Sequence, residues 1–269
     1  MASLEGVVVY RRLIGAQIRS QLQYRGSFAL DLLATFLISF LDFLGILVLF
    51  HNIPRLSGWS VHEVAFLYAN SAVAFALADL VVGHLDHLGQ RLRAGTFDVI
   101  LVRPRGSLFQ LVASDIGLRQ VGRFAQGVVV FVYAASGLDV HWDAGRVAMV
   151  VLMVPTGFVL FASVWIAAMC VVFWTTEGGE FTSAFTYGGQ FLTEYPIDIY
   201  SAWLRRFLAY IVPLAFVCYF PALYILDKPD PLGLPRFLDF ASPLVAAGAA
   251  VVASFVWRFA VRHYRSAGG

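Results

Sequence analysis

His84-x-x-His87 with Asp86 between them is the first cluster with chemical potential, since two imidazoles and a carboxylate can share a metal ion. A site would need a third ligand at a recognised spacing, and none accompanies it, so a solvated polar turn is expected and no metal is assigned. Ser, His and Asp all occur, but without a nucleophile-elbow signature, and no catalytic residue is assigned. Glu177 and Glu180 flank Gly178-Gly179 at helical spacing, which suits the start of a helix better than acid–base work. A phosphate-cradling loop would need Gly-x-x-x-x-Gly-Lys-Ser/Thr. The only lysine, Lys228, stands in Asp227-Lys228-Pro229-Asp230 with no glycine loop before it. The chain therefore does not hydrolyse ATP by that route, and no nucleic-acid partner is expected. Cys170 and Cys218 lie in apolar stretches, away from any disulfide or metal-knuckle pattern.

Asp42 is different, because it falls well inside an apolar stretch that runs from Phe28 to Phe50. A carboxylate at that depth is costly unless it faces a cavity or a partner, so both a functional and a structural role stand open. Asp79 sits near the end of a second apolar stretch, where an interfacial position is the alternative. Asp115 and Arg119 are four apart and expected to pair along one helix face.

The elements that must position these groups follow from composition. Hydrophobic residues make up 59% of the 269 positions and charged residues 13%, against about a quarter charged in soluble domains. The apolar residues come in blocks of about twenty, the length that crosses a bilayer as a helix. Strict alternation, the mark of barrel strands, is absent. The expected fold is an all-α integral membrane domain covering 1–269. Spans are expected over 28–50, 61–83, 112–138, 147–174, 180–194 and 241–262. Residues 4–25 carry Val7, Tyr10, Ile14, Ile18 and Leu22 on one side and Arg11, Arg12, Arg19 and Arg25 on the other. They suit an interfacial helix, or else an extended start of the first span.

Between 175 and 240 two arrangements compete. Residues 180–194 make a short fifth span followed by half-helices over 195–225, or 205–226 crosses fully and 175–204 is a loop. If both helices crossed, the count would be seven. An even count with a cytoplasmic N-terminus places Arg11, Arg12, Arg19, Arg25, Arg91, Arg93, Arg103, Arg105, Arg119, Arg123, Arg258, Arg262 and Arg265 on one side, out of 19 basic residues in all. That agrees with the positive-inside bias and favours six spans with both termini cytoplasmic.

On the cytoplasmic side of that topology lies Gly95-Thr96-Phe97-Asp98-Val99-Ile100-Leu101-Val102-Arg103-Pro104-Arg105. A glycine, a small polar residue and a short apolar run ended by Arg-Pro predict a brief helix bounded by turns. Such a helix is a docking element for a soluble partner; an ordinary basic loop is the alternative.

The Gly95–Pro104 stretch is similar to the "G-t-f-D-x-x-L-x-r-P" signature of small bacterial permease subunits of ABC-2-type ATP-binding-cassette transporters. A second stretch resembles the same family: Tyr195-Pro196-Ile197-Asp198-Ile199-Tyr200, Trp203-Leu204-Arg205, Val212-Pro213-Leu214-Ala215-Phe216 and Tyr219-Phe220-Pro221-Ala222. The resemblance covers essentially the whole chain. It implies an interfacial N-terminal helix, six transmembrane helices, a cytoplasmic coupling helix within 84–110 and re-entrant half-helices within 195–225 before the last span. It also implies a location in the bacterial inner membrane and ATP and Mg bound by a separate ATPase subunit dimer. A second permease chain completes the path, with a heterodimer favoured over a homodimer.

Under that resemblance Gly95, Thr96, Phe97, Asp98, Arg103 and Pro104 couple to the ATPase, with Phe97 as a plug for an apolar pocket. Asp42, Tyr195, Pro196, Pro213 and Pro221 belong to the path or its outer lid, and spans one, two and five line the path. The aromatic content, 24 Phe, 11 Tyr and 6 Trp, suits a hydrophobic or amphiphilic substrate moved outward. The rival function is a proton-coupled secondary transporter with Asp42 as the titrating carboxylate, although no internal repeat supports it.

Overall fold

The computed structural model of the chain describes residues 15, 19–20, 22–175 and 179–264. Most of the amphipathic segment 4–25, together with Glu177, Gly178 and Arg265, lies outside the described residues. Among the described residues the chain is helical, with no β-strand. The long helices are α1 (Arg25–Asn52) and α2 (Val61–Val82). Three short ones follow, α3 (Leu88–Arg93), α4 (Thr96–Leu101) and α5 (Ser107–Val112). Then come α6 (Val121–Gly137), α7 (Ala144–Met169) and α8 (Gly179–Thr193). The last are the short α9 (Ala202–Arg206), α10 (Tyr219–Leu226) and α11 (Ser242–Arg262).

Four of these, α1, α2, α7 and α11, are long and apolar enough to cross a membrane. They match four expected spans to within about three residues at most ends, because sustained apolar runs and clear caps set them. Ser60 opens α2 with a capping box: Glu63 N–H donates to Ser60 Oγ (3.4 Å) and Ser60 N–H to Glu63 Oε2 (2.7 Å). Asp143 opens α7 by accepting from Arg146 N–H (2.8 Å). At 17 and 15 residues, α6 and α8 span only about 26 and 22 Å, short of the ~30 Å hydrocarbon core.

Helix α2 is the centre of the bundle: 83% of its most apolar window is buried, against 17% for α1 and 22% for α11. Close helix approach rests on small residues. A Cβ at Gly122 of α6 would collide with the Leu32 carbonyl of α1, and one at Gly157 of α7 would meet the Ala74 side chain of α2 at 2.9 Å.

The structure corrects two boundaries. The third span does not begin at 112: helix α5 stops at Val112, residues 113–117 are non-helical, and α6 starts only at Val121. The break is held by tertiary contact, as Gly117 N–H donates to the Leu80 carbonyl of α2 (3.0 Å). Asp115 and Arg119 therefore do not share a helix face, and Asp115 accepts from Ile116 N–H instead (2.8 Å). Nor is 205–226 a continuous span. The helix of α9 continues as a π turn over 207–211 and breaks at Val212-Pro213, and α10 begins after a 3₁₀ turn.

Candidate functional site: a surface knot, a polar interior and an opposite cap

The 84–112 region is a compact knot of short helices. Gly95 takes a left-handed conformation (φ 66°) between α3 and α4, where a side chain would be strained. The coupling helix expected within 84–110 is therefore two short helices, α3 and α4, turned at Gly95. Thr96 Oγ1 donates back to the Arg91 carbonyl (3.1 Å), and Gln110 Nε2 donates to the Ile100 and Arg105 carbonyls (3.0 and 2.6 Å). Those last two bonds close the turn that carries Arg103 and Pro104.

Phe97 is fully buried, not displayed. Its ring meets Phe173 after α7 and Tyr264 after α11 edge-on at 5.5 and 5.2 Å. Trp257 Nε1 of α11 donates to Ser107 Oγ (3.2 Å). Phe97 is thus an anchor that fastens α4 to the ends of α7 and α11, and it is unavailable as a plug for another subunit. What α4 and the following turn display instead is Val99, Leu101 and Val102, 54%, 42% and 84% exposed. Thr96, Arg103 and Pro104 are exposed beside them and Asp98 is half-buried. The exposed valines were missed in sequence because an apolar residue in a short helix reads as core.

The interior is polar along one seam. Arg123 of α6 faces Asp79 of α2 (3.9 Å), donates to Ser39 Oγ of α1 (3.3 Å) and lies over the Phe75 ring (5.4 Å). Asp79 is buried within the bundle. Asp86 accepts from Trp165 Nε1 (2.8 Å) and Tyr187 OH (3.4 Å). His84 Nε2 donates to the Leu111 carbonyl (2.8 Å), which makes it a brace between α2 and α5. The hydroxyls of Ser71 and Thr193 are 2.6 Å apart, so α8 ends beside the midpoint of α2. Asp42 lies one turn beyond Ser39 on α1 and is exposed, on a side of the helix where its charge reaches Arg123 and Glu194.

Opposite the 84–112 knot, near the start of α2, Asp198 accepts from Trp59 Nε1 (2.7 Å) and Tyr219 OH (3.0 Å). Lys228 pairs with Glu63 (3.2 Å) and lies 4.7 Å over the Trp59 ring. Among the expected lid residues, Pro196 and Pro221 are buried and Tyr195 and Pro213 half-buried. Leu214, next to Pro213, packs at Gly189 and Val217 at Gly157. The α9–α10 turn therefore reaches the middle of the bundle and α10 climbs back, so that Tyr224 meets Phe240 (4.6 Å). In the connection to α11, burial raises the Asp239 carboxyl from 3.8 to about 6, reinforced by Asp230 and opposed by Arg236.

The several apolar helices and the charge seam buried between them mark a multi-pass helical membrane protein. The chain belongs to the ABC-2 family: the model of the ABC-2 family transporter proteins matches residues 36–268. No curated protein and no solved structure matches it. Membership makes the chain a membrane component of transport, not itself a catalyst, in a family that normally works with an ABC ATPase.

Proposed function

We propose that this chain is the permease subunit of an ABC exporter for a hydrophobic or amphiphilic substrate, forming one transmembrane domain and powered by a separate ATPase dimer that docks on residues 96–104. The observation that carries the proposal is the α4 surface. Val99, Leu101 and Val102 are exposed on an element whose buried face, Phe97, is locked to the ends of α7 and α11. A push on that surface is delivered to two long helices, because packed side chains have little slack. In this reading ATP and Mg stay on the partner, and this end is cytoplasmic in the inner membrane.

Two shorter helices, α6 and α8, complete six spans, with α8 continued by 195–200 toward Trp59. The α9–α10 pair is re-entrant and forms the outer lid. Irregular backbone at that depth is tolerated because protein covers it, and Leu214, Ala215 and Phe216 are buried. Asp42, exposed on α1, meets the path or the second permease chain, a related but different chain in this reading. Helix α2, enclosed by its own chain, contributes little wall.

The test is to extract the tagged chain gently from native membranes and assay for a co-eluting, vanadate-sensitive ATPase. Val99→Asp with Val102→Asp, both at exposed positions, should abolish co-elution while insertion persists. Full ATPase recovery with that double variant would reject the docking surface.

A further inference from the structure

Beside the coupling knot, a pocket of about 450 Å³ opens between the start of α1, the end of α2, the 115–120 loop and α8. Its charge is one-sided. Asp31, Asp79, Asp86 and Asp115 line it, and among the described residues Arg119 is the only lysine or arginine in its lining. Arg123 offsets Asp79 from behind (3.9 Å), and Asp86 is held by Trp165 and Tyr187. Asp31 and Asp115 have no ion pair among the described residues. Independently of the carboxylates, Gln120 lines the pocket with its side chain 94% buried by residue exposure (6% remains), and its Oε1 has no hydrogen-bond partner. A buried acceptor left without a donor is costly, so a bound donor is the natural complement. Tyr24, Phe28 and Tyr187 add aromatic rings to the walls, the surface that attracts organic cations.

We propose that this pocket binds the cationic headgroup of an amphiphile, and so that the exported substrate is a lipophilic organic cation. An ammonium, phosphonium or guanidinium group would sit among Asp31, Asp115 and the rings, and a head with an N–H would also satisfy Gln120 Oε1. Its apolar part would lie along the same face of α1 beyond Asp31, where Ala34 and Ile38 are exposed. Entry from this end places the pocket at the start of the outward path, and in that respect the inference rests on the permease reading. Its location next to Gly117 and α5 also sets it beside the element the ATPase would move.

The full chain in phosphatidylcholine nanodiscs is assayed by equilibrium dialysis against empty nanodiscs, with tetraphenylphosphonium and tetraphenylborate as a matched pair of opposite charge. The expected result is saturable binding of the phosphonium, no saturable binding of the borate, and about tenfold weaker binding in Asp31→Asn/Asp115→Asn, equal to ~1.4 kcal/mol. Ser27→Lys, at an exposed position on the pocket rim, keeps the fold and should abolish phosphonium binding. Equal binding of both ions, no saturable binding, or affinity unchanged within about twofold in Ser27→Lys would overturn the pocket assignment. The assay contains no ATPase, so its failure in a chain that still recruits ATPase refutes the pocket alone. Loss of ATPase recruitment by the wild-type chain refutes the permease reading instead.

Discussion

Phe97→Ala removes the ring that fastens α4 to the rest of the molecule. The side chain is fully buried and meets Phe173 and Tyr264 at 5.5 and 5.2 Å. Truncating such a phenylalanine costs about 3–5 kcal/mol, from lost transfer energy and the cavity left behind, with the edge-on aromatic pairs included in that loss. Helix α4 has six residues, far below the length at which a helix holds itself in water. The remaining local ties, Thr96 to Arg91 and Gln110 to the Ile100 and Arg105 carbonyls, contribute about 1 kcal/mol each. They do not replace the anchor. The expected outcome is local release of residues 95–104 with the long helices intact. Amide exchange in that segment should accelerate by up to about two to three orders of magnitude, while exchange in α2 stays unchanged. Phe97→Leu should restore most of the protection. Unchanged exchange over 95–104 in Phe97→Ala would refute the anchoring argument, and so would equal acceleration across α2.

Three further outcomes follow from the same structure. Arg123→Met strands a buried carboxylate. The 3.9 Å separation corresponds to ~4 kcal/mol at an effective dielectric of 20, and losing one partner costs about 3–5 kcal/mol. Thermal stability in mild detergent should fall sharply and recover in Asp79→Leu/Arg123→Met. Asp198→Asn weakens the acceptor for Trp59 and Tyr219 by about 1–2 kcal/mol, read as faster tryptic cleavage after Arg205 or Arg206. Asp239, raised by burial from 3.8 to about 6, binds its proton more tightly folded than unfolded. Its contribution is full below about pH 4 and lost as pH rises through about 6. Asp239→Asn should remove that part of the decline in melting temperature over this window.

How much of this the sequence carried depends on the range of the forces involved. Helices α1, α2, α7 and α11 were legible because about twenty apolar residues in a row admit one economical solution in a bilayer. The short helix α4 was legible from Gly95 and the Arg103-Pro104 stop. The break at 113–117 was not, since Ala113-Ser114-Asp115-Ile116-Gly117 holds no proline and is bent by the Gly117–Leu80 bond to another helix. Burial of Phe97 was equally hidden, because its partners lie 76 and 167 residues further along, at Phe173 and Tyr264. The Asp79–Arg123 pair joins two helices with no shared periodicity, so neither residue announced the other. Asp42 was noticed for its cost in a span, but only the packing of α1 showed that it is exposed and yet near Arg123.

The most direct test of the account places a photo-crosslinking residue at single positions and irradiates native membranes. Val102 and Val99 should form adducts with a cytoplasmic ATPase, whereas Trp203, 68% exposed near the opposite end, should form none. Adducts from Trp203 but not from Val102 would contradict the account, because the ATPase would then sit at the wrong end of the bundle. Absence of any ATPase adduct at Val99 and Val102, with the chain correctly inserted, would contradict it as well.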